Sequence, residues 1–491
     1  MANGLQQPKS AEIRARLNHP VIDSDGHTLE PFAIFFDYLK SVAGEDAPRR
    51  FNASLEGTQL DPRWQTFTPE QRRALNLTRG PWWAVPAMNT LDLATAMLPK
   101  LMYERLDEMG LDFAVVYPTI GLITMGIGDD EMRRASCRAL NIMKADTFSG
   151  LSDRLAAVAT IPMHTPQEAI DELEFSVTRL GLKAAMMASY VRRPIPHAVR
   201  EFPQAAGYSC WLDTFGIDSE YDYDPVWAKC VELGIAPTFH SVGYGWGSRA
   251  SISNYIYNHI GNFASSAEAV CKSLFMGGVP VRFPTLRFAF LEGGAAWART
   301  LYCELISHWE KRNREAVEKY NPARADRRLL TELARRYGGR LTEGMPDEKI
   351  AQAYGAGPGV DALGEPELAD EWAQSGVHGI AEIRDIFIER FYFGCEGDDP
   401  LVMTAFNPMG TPFNAVLRAL YGSDVGHWDV PDMSAVTAES CELVEKGLMS
   451  VENLRDFLFA NAVEFWTATN PGFFKGTRVE SQVNKLLAAG Q

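Results

Sequence analysis

Short runs rich in β-branched and aromatic residues alternate with helical stretches along most of this 491-residue chain, and this alternation constrains the fold most strongly. Such a pattern favours strand–helix–strand units with a parallel sheet. Eight runs qualify as strands, which is the number that closes a TIM barrel. The predicted strands are Val21–Ser24, Phe113–Tyr117, Leu155–Ile161, Leu182–Met187, Ile235–His240, Leu286–Leu291, Arg390–Cys395 and Ala419–Asp424.

Two segments interrupt the alternation, and we interpret both as insertions in one barrel domain spanning residues 1–491. Residues 44–98, rich in Trp, Pro and Arg, fall between the first strand and its helix, so they are expected to cover the active site. Residues 314–374 are highly charged and are expected to be peripheral. The predicted fold class is therefore a distorted TIM (β/α)8 barrel of the α/β class with helical and loop insertions.

Composition and charge restrict the partners of the chain. No apolar run reaches the roughly 18 to 20 residues that span a bilayer, so no membrane association is expected. A net charge of −16 disfavours nucleic acid, whose phosphates would be repelled. The first residues lack the pattern of a secretory signal, and the seven cysteines include no Cys-x-x-Cys pair, which together predict a cytoplasmic protein. The expected partner is a small-molecule substrate.

The densest group of ligand-type side chains follows the first strand, in the segment Asp23-Ser24-Asp25-Gly26-His27. Residues two apart share a face of an extended chain, so Asp25 and His27 should point together while Asp23 lies below them. A carboxylate with a neutral imidazole suits zinc, iron, manganese or cobalt. Asp-rich turns after strands also cap helices, so this motif alone leaves both interpretations open.

Two further predicted strands end in ligand-type residues. His240 ends the fifth strand, and Asp424 ends the eighth, with His427 three residues later. Because catalytic groups of a TIM barrel lie at the carboxyl ends of its strands, these side chains should meet there. Asp424 can bind a metal, accept a proton from water or cap a helix. For His427, the roles of ligand, base and simple loop histidine all remain open.

Two weaker signals have structural explanations that we favour. Three acids crowd the segment Cys395–Pro400 at the end of the seventh strand, where a turn is expected, with tuning of the site as the alternative. Trp64, Trp82 and Trp83 in the first insertion are expected to pack the insertion on the barrel, with the lining of an apolar substrate pocket as the alternative.

The strand-end motifs together resemble the amidohydrolase superfamily, in the branch that contains aminocarboxymuconate-semialdehyde decarboxylase. The resemblance implies that Asp25 and His27 are the paired first-strand metal ligands, His240 the middle histidine and Asp424 the final aspartate. It also implies a homodimer. The motifs that carry it are Asp23-Ser24-Asp25-Gly26-His27, Pro237-Thr238-Phe239-His240 and Gly422-Ser423-Asp424.

The chain departs from the pattern of this branch at two places. The decarboxylase pattern has His-x-His at the first strand, whereas this chain has Asp25-x-His27, and the more anionic shell favours iron or manganese over zinc. At the sixth strand, a segment that commonly carries His before its glycines has Glu292 here. Glu292 could bind a second ion, act as a base or pair with an Arg, and Glu30 raises the same question.

The predicted function is that of a metal-dependent hydrolase that activates water to cleave an ester, amide, lactone or thioester. One alternative is nonoxidative decarboxylation of an aromatic or unsaturated carboxylic acid. We rank it behind hydrolysis because the sixth strand is followed by Glu292 where the decarboxylase branch commonly has His. A metal-stabilised binding protein without catalysis is the other alternative. The expected cofactor is a divalent ion, zinc, iron or manganese, present as one ion or two. The metal candidates are Asp25, His27, Glu30, His240, Glu292 and Asp424, and the catalytic candidates are Glu292, Asp424 and His427.

Overall fold

A computed structural model describes residues 10–56, 61–80, 89–205, 207–241, 250–320, 325–355 and 370–489. Within these ranges, two kinds of strand occur, those of a large parallel sheet and those of a two-stranded antiparallel hairpin. The strands are β1 (Ile22–Thr28), β2 (Phe113–Pro118), β3 (Leu155–Ile161), β4 (Ala184–Ala188), β5 (Val191–Pro194), β6 (Cys210–Asp213), β7 (Pro237–His240), β8 (Phe288–Phe290), β9 (Phe391–Glu396) and β10 (Arg418–Gly422).

Helices follow and precede the strands of the large sheet, as expected for successive βα units. None of the helices in the described ranges has the length and apolar character needed to cross a membrane. A π-helical turn, Asp456–Ala460, joins the helices Val451–Arg455 and Asn461–Thr469. The helices are α1 (Ser10–Arg16), α2 (Phe32–Ala43), α3 (Ala47–Ser54), α4 (Pro69–Ala74), α5 (Thr90–Met97), α6 (Pro99–Met109), α7 (Gly121–Thr124), α8 (Asp130–Thr147), α9 (Pro166–Thr178), α10 (Pro196–Glu201), α11 (Asp224–Leu233), α12 (Tyr255–His259), α13 (Asn262–Met276), α14 (Val279–Arg282), α15 (Ala296–Arg312), α16 (Arg314–Val317), α17 (Arg327–Tyr337), α18 (Asp347–Gly355), α19 (Ile380–Arg390), α20 (Met403–Phe406), α21 (Val436–Glu445), α22 (Val451–Arg455), α23 (Asn461–Thr469) and α24 (Glu480–Ala489).

The large sheet has eight parallel strands in the order β1-β2-β3-β4-β7-β8-β9-β10 and curls into a nearly closed barrel. This confirms the predicted fold class, and each of the eight predicted runs overlaps one of these strands. The main difference lies in β1, which continues four residues past Ser24 to Thr28. Sequence analysis did not predict the β5–β6 hairpin. The residues of β5 are alternately buried and exposed and include arginines, so the strand lacks the apolar run that marks a barrel strand.

Both faces of the barrel strands are buried, which explains why they are nearly continuous apolar runs. In β3, Ala156 and Val158 face the barrel interior, whereas Leu155 and Ala157 pack against the surrounding helices. The small alanines inside leave room for larger residues on other strands, such as Tyr392 of β9. Burial of each large apolar side chain contributes about 1.5–3 kcal/mol, so this two-layer core holds the strand ends in fixed positions.

Irregular hydrogen bonds join β1 and β10, which lie at the two ends of the sheet order. The Asp23 carboxylate accepts from the Ser423 backbone N–H at 3.0 Å and from the Ser423 hydroxyl at 2.6 Å. The backbone N–H of Asp424 donates to the Asp25 carbonyl oxygen at 2.9 Å. These bonds place the carboxyl end of β1 beside that of β10, where two of the predicted motifs lie.

The described part of the first insertion contacts residues 251 and 252, which precede the helix Tyr255–His259. The Trp64 indole N–H donates to the Ile252 carbonyl at 3.0 Å, and the Arg79 backbone N–H donates to Ser251 at 2.9 Å. Trp82 and Trp83 lie outside the described residues, so the proposed covering role of residues 44–98 stays a prediction. The peripheral role predicted for residues 314–374, which include α17 and α18, also stays a prediction.

Candidate metal centre

The carboxyl end of β1 supplies two buried ligand-type side chains, Asp25 and His27. The pairing of β1 with β2 shifts register between Asp23 and Gly26, which inserts one extra residue into β1. Such bulges re-aim side chains and are common beside active sites. Asp25 Oδ1 lies 3.3 Å from His27 Nε2. The two side chains therefore point to a common position, as their spacing predicts.

His240, the last residue of β7, joins this pair across the barrel. Its Nε2 lies 2.9 Å from Asp25 Oδ1, and its ring stands edge-on to that of His27 with 5.3 Å between centroids. Tyr117 of β2 packs on the His240 ring with 4.5 Å between centroids. Sequence analysis did not single out Tyr117, although its place at the end of a predicted strand could have indicated it. Burial, with repulsion from Asp25, raises the pKa of the Tyr117 hydroxyl well above its usual value.

Glu292 and Asp424 complete the cluster from the loops after β8 and β10. Glu292 Oε1 and Asp424 Oδ1 each lie 3.4 Å from His27 Nε2. Both residues adopt positive φ values, +60° for Glu292 and +51° for Asp424. This left-handed conformation costs a residue other than glycine about 1–3 kcal/mol and is concentrated at functional sites. The loops therefore hold Glu292 and Asp424 in a backbone conformation that these residue types disfavour.

His427 packs directly on the cluster. Its ring stacks on that of His27 with 3.8 Å between centroids, and its Nδ1 lies 2.7 Å from Asp424 Oδ1. On its other side, Nε2 lies 3.3 Å from the Thr119 hydroxyl. Burial, together with repulsion from His27, lowers the pKa of His427 well below its usual value. His427 is thus a neutral imidazole at neutral pH, and its contacts hold the Asp424 carboxylate in place.

Glu30 lies elsewhere, so the structure does not bring it to the cluster. Its Oε1 accepts from the Thr28 hydroxyl at 2.7 Å, and its Oε2 accepts from the Ile120 backbone N–H at 3.0 Å. The ammonium group of Lys144 lies 3.7 Å away. β1 ends at Thr28, so the side chain of Glu30 no longer follows the alternation that aims Asp25 and His27. Glu30 therefore links the segment after β2 to α8, and its contacts in the described chain include none of the other predicted ligands.

The electrostatics of the cluster fit a bound cation. Burial raises the pKa of Asp25, but its contacts with His240 and His27 outweigh burial and hold it below its usual value. Burial likewise opposes protonation of His27, yet the Asp25 and Glu292 carboxylates raise its pKa to about 9. Burial and repulsion from Glu292 raise the pKa of Asp424 well above its usual value. Excess negative charge thus recruits a proton to His27, and a metal ion would neutralise the same charge.

Several buried atoms of the cluster form no hydrogen bond within the described part of the chain. They include both ring nitrogens of His27 and both carboxylate oxygens of Glu292. A buried polar atom without a partner costs about 1–3 kcal/mol, so such atoms need an explanation. Two overlapping sets have ligand atoms within 4.8 Å of one another and share His27. The sets are Asp25, His27 and His240, and His27, Glu292, Asp424 and His427.

The separations around His27 suit ligands that share an ion. Atoms that share an ion at about 2.1 Å lie roughly 3.0–3.4 Å apart, whereas two-metal sites separate their ions by about 3.5–4 Å and need more ligands. The separations from His27 Nε2 to Asp25, Glu292 and Asp424 are 3.3, 3.4 and 3.4 Å. Each of these pairs is therefore spaced like two ligands of one ion, and His27 is the member that the two sets have in common.

A glycine in the loop after β10 permits this arrangement, which yields a testable prediction. Gly426 has φ +98°, and a Cβ there would lie 2.3 Å from the His27 carbonyl oxygen. Gly447, with φ +70° and nothing within 4 Å of its Cβ position, is the matched control. Gly447→Ala should lower the free energy of unfolding by about 1–2 kcal/mol through backbone strain alone. Gly426→Ala should lower it by about 3 kcal/mol or more because the clash adds to that strain. Equal losses in denaturant unfolding would contradict this account.

The acidic segment after β9 does more than form the expected turn. Asp399 caps the following helical turn, in agreement with the expectation. Glu396, however, is the last residue of β9 and lies opposite Gly422 of β10. Alternation along β9 places it on the inward face with Tyr392, which belongs to the barrel interior. Glu396 therefore stands at the barrel mouth, and the alternative that this segment tunes the site stays a prediction.

Comparison with known proteins agrees with this architecture. Residues 74–343 match a family model described as Amidohydrolase. Among solved structures, an amidohydrolase from Mycobacterium avium subsp. paratuberculosis K-10 is 17% identical, with a TM-score of 0.52, over 92% of this chain and 100% of that one. A 2,6-dihydroxybenzoate decarboxylase from Rhizobium is 13% identical, with a TM-score of 0.47, over 91% of this chain and 99% of that one. A dihydroxybenzoic acid decarboxylase from Polaromonas sp. JS666 with bound manganese is 14% identical, with a TM-score of 0.46, over 93% and 99%.

Proposed function

Because the chain belongs to the amidohydrolase family, we propose that it is a metal-dependent hydrolase that cleaves an ester, amide, lactone or thioester. Asp25 and Asp424 both approach the buried His27 at the barrel mouth, and His240 approaches Asp25; this arrangement supports a metal-dependent reaction. These four residues would hold the ion. The choice between hydrolysis and decarboxylation depends on the charge of the site.

The observation that carries the proposal is that, in the described part of the chain, neither Lys nor Arg forms an ion pair with any of three buried carboxylates. The ion-pair partners of Asp25, Glu292 and Asp424 within the described ranges are all histidines. A decarboxylase must bring a fourth carboxylate, that of its substrate, into the site, and the charge of one divalent ion is already offset by the three that are present, so repulsion would oppose this without a Lys or Arg nearby. A neutral carbonyl compound meets no such repulsion. The charge distribution therefore favours hydrolysis.

A divalent ion in this site supplies a Lewis acid that polarises the scissile carbonyl and lowers the pKa of water. Carboxylate and imidazole ligands suit zinc, iron and manganese. Glu292, whose two oxygens have no hydrogen-bond partner in the described chain, is positioned to accept the proton of the attacking water. His427, whose Nε2 lies within hydrogen-bond distance of the Thr119 hydroxyl, orients Asp424 through its Nδ1. The buried interior of the barrel excludes bulk water from the side of the ligands that faces away from the barrel mouth.

The test is turnover by metal-free protein before and after reconstitution with zinc, iron(II) or manganese. The panel contains neutral esters, thioesters and lactones, and a second panel contains aromatic and unsaturated carboxylic acids. We expect acid release from at least one neutral class, dependent on about one ion per chain, and no carbon dioxide from the second panel. Carbon dioxide release without hydrolysis would establish decarboxylation instead. Metal binding with no turnover on either panel would favour the non-catalytic alternative.

A further inference from the structure

We infer that the amino-terminal end of the barrel carries a separate binding site, whose ligand is a small monocarboxylate with an apolar body. The candidate metal centre lies at the carboxyl ends of the strands, where TIM-barrel enzymes carry out their chemistry. The separate site lies at the opposite ends of β8, β9 and β10. The inference is therefore independent of the proposed function.

A surface cavity of about 710 Å³ lies at these strand starts. Sites for small organic molecules have volumes of about 300–1,000 Å³, so the cavity has the size of a ligand site. Strand pairing fixes its position, because Arg418, the first residue of β10, lies opposite Tyr392 of β9. Arg287 directly precedes β8, whose Ala289 lies opposite Tyr392 on the other side. The charged residues that line the cavity are Arg287, Glu389, Arg418, Arg455 and Glu464.

The charge of the lining favours an anion with a single negative charge. Three guanidinium groups face two carboxylates, which leaves one excess positive charge. Two ion pairs reach beyond the lining, Arg455 with Asp456 at 3.5 Å and Glu389 with Arg390 at 3.6 Å. The two outer partners have opposite charges and cancel, so the excess of one remains. A monocarboxylate matches this excess, whereas a doubly charged anion such as phosphate exceeds it.

Arg287 carries the excess charge. Arg418 is already paired, because its Nη1 lies 3.1 Å from Glu464 Oε2, whereas no carboxylate of the described chain lies within ion-pair distance of Arg287. The Nη1 atom of Arg287 donates to the backbone carbonyls of Pro284 and Leu286, at 3.1 Å each, which orients the guanidinium. Neither bond uses Nε or Nη2, and this edge of a guanidinium can bind a carboxylate through two parallel hydrogen bonds.

The surroundings of Arg287 do not compensate its charge. Burial, with repulsion from Arg390, lowers the pKa of the Arg287 guanidinium. Burial raises the pKa of the Tyr392 hydroxyl to about 12, so this phenol is neutral at neutral pH. Glu389 is exposed to solvent, which screens its attraction for Arg287. A half-buried cation in this situation gains from an anion that enters the cavity.

The remaining wall of the cavity is mostly apolar. Helix α24 contributes Leu486, Leu487 and Ala489, and the end of α23 contributes Ala468, with Pro471 just beyond it. An inorganic anion would leave these side chains in contact with water, whereas the apolar body of an organic acid would cover them. The wall therefore favours a carboxylate that carries a hydrocarbon group.

The helices that line the cavity contain an irregularity of a kind that is frequent at functional sites. The π-helical turn Asp456–Ala460 directly follows Arg455 and directly precedes α23. Asn461, the first residue after this turn, donates from its side-chain amide to the Ala419 carbonyl at 2.8 Å. The turn therefore holds Arg455 and α23 at the start of β10, where the cavity lies.

The test compares 3-phenylpropanoate with 3-phenylpropan-1-ol, its uncharged counterpart, by titration calorimetry on zinc-loaded protein. We expect the carboxylate to bind at least about tenfold more tightly, because only the carboxylate can pair with Arg287. Arg287→Gln should reduce this preference to less than about threefold. Arg134→Gln on α8 is the matched control, because Arg134 also donates to a backbone carbonyl, and it should leave the preference unchanged.

A second pair of variants tests the cavity without removing the contacts of Arg287. Ala488 and Ala489 are both exposed at the end of α24, so glutamate at either position should leave the fold intact, but only Ala489 lines the cavity. Ala489→Glu should lower the affinity for 3-phenylpropanoate at least about threefold, because it cancels the excess positive charge. Ala488→Glu should leave the affinity unchanged.

A carboxylate bound to the metal would give a different pattern. Binding in the cavity should be equal in zinc-loaded and metal-free protein, whereas binding to the ion should disappear with the zinc. That disappearance, equal affinities for the carboxylate and the alcohol, or unchanged binding in both Arg287→Gln and Ala489→Glu would overturn the inference. Inorganic phosphate that binds as tightly as 3-phenylpropanoate would show that the apolar wall has no role and would also overturn it. None of these outcomes affects the test of ester hydrolysis at the metal centre.

Discussion

Replacement of His27 by alanine is expected to remove the bound metal and to lower kcat/KM by at least roughly 10³-fold. His27 is shared by both candidate ligand sets, and its Nε2 lies within 3.4 Å of the carboxylates of Asp25, Glu292 and Asp424. Without its imidazole, three buried carboxylates face one another, and the ion loses its central ligand. Metal catalysis contributes several kcal/mol to the transition state, which corresponds to the expected loss in rate.

Elemental analysis together with steady-state kinetics tests this expectation. His308→Ala is the matched control, because His308 is exposed on α15 and its ring contacts only the Glu304 carbonyl among described atoms. The control should retain both metal and activity. A His27→Ala protein that keeps a full complement of metal would show that the ion lies elsewhere. Asp25→Ala and His240→Ala should then also leave the metal content unaffected.

Glu292→Gln is expected to lower kcat by about 10²–10⁴-fold while most of the metal remains bound. The substitution preserves the shape of the side chain but removes a proton acceptor, and general base catalysis commonly contributes this amount. The four other candidate ligands stay in place, which explains the retained metal. The measurement is kcat at saturating substrate with the metal content determined on the same sample, and Glu310→Gln, on the exposed face of α15, serves as the control.

The same experiment separates the two roles considered for Glu292. If Glu292 acts chiefly as a ligand, the variant will lose metal, and excess metal in the assay will restore kcat. If it acts as a base, excess metal will restore nothing. Full activity without added metal would contradict both roles.

The fold could be predicted from the sequence because the barrel strands are buried on both faces and therefore appear as isolated apolar runs. The same rule explains why Asp25, His240 and Asp424 could be expected to meet, since parallel strands present their carboxyl ends on one side. Their roles as ligands remain predictions. Glu30 shows the limit of this reasoning. It lies just past the end of β1, and its carboxylate accepts hydrogen bonds from Thr28 and Ile120 instead of joining the cluster.

Other features depend on contacts that no local pattern encodes. Glu396 could be assigned to β9 itself, and not to the following turn, only after its register opposite Gly422 was known. The positive φ of Glu292 arises from the packing of its loop, because glutamate has no local preference for that conformation. The stacking of His427 on His27 joins residues from opposite ends of the strand order. Such long-range contacts escape any analysis restricted to neighbours in sequence.

The bonds from Asp23 to Ser423 join residues 400 positions apart, and this separation has a consequence for biosynthesis. During translation, the β1 half of the candidate metal centre emerges long before the β10 half, so a nascent chain cannot assemble the complete ligand set. Contacts of such high sequence separation are slow to form because loop closure must precede them. The metal would therefore bind after the last strands have paired, and it would stabilise a barrel that has already formed.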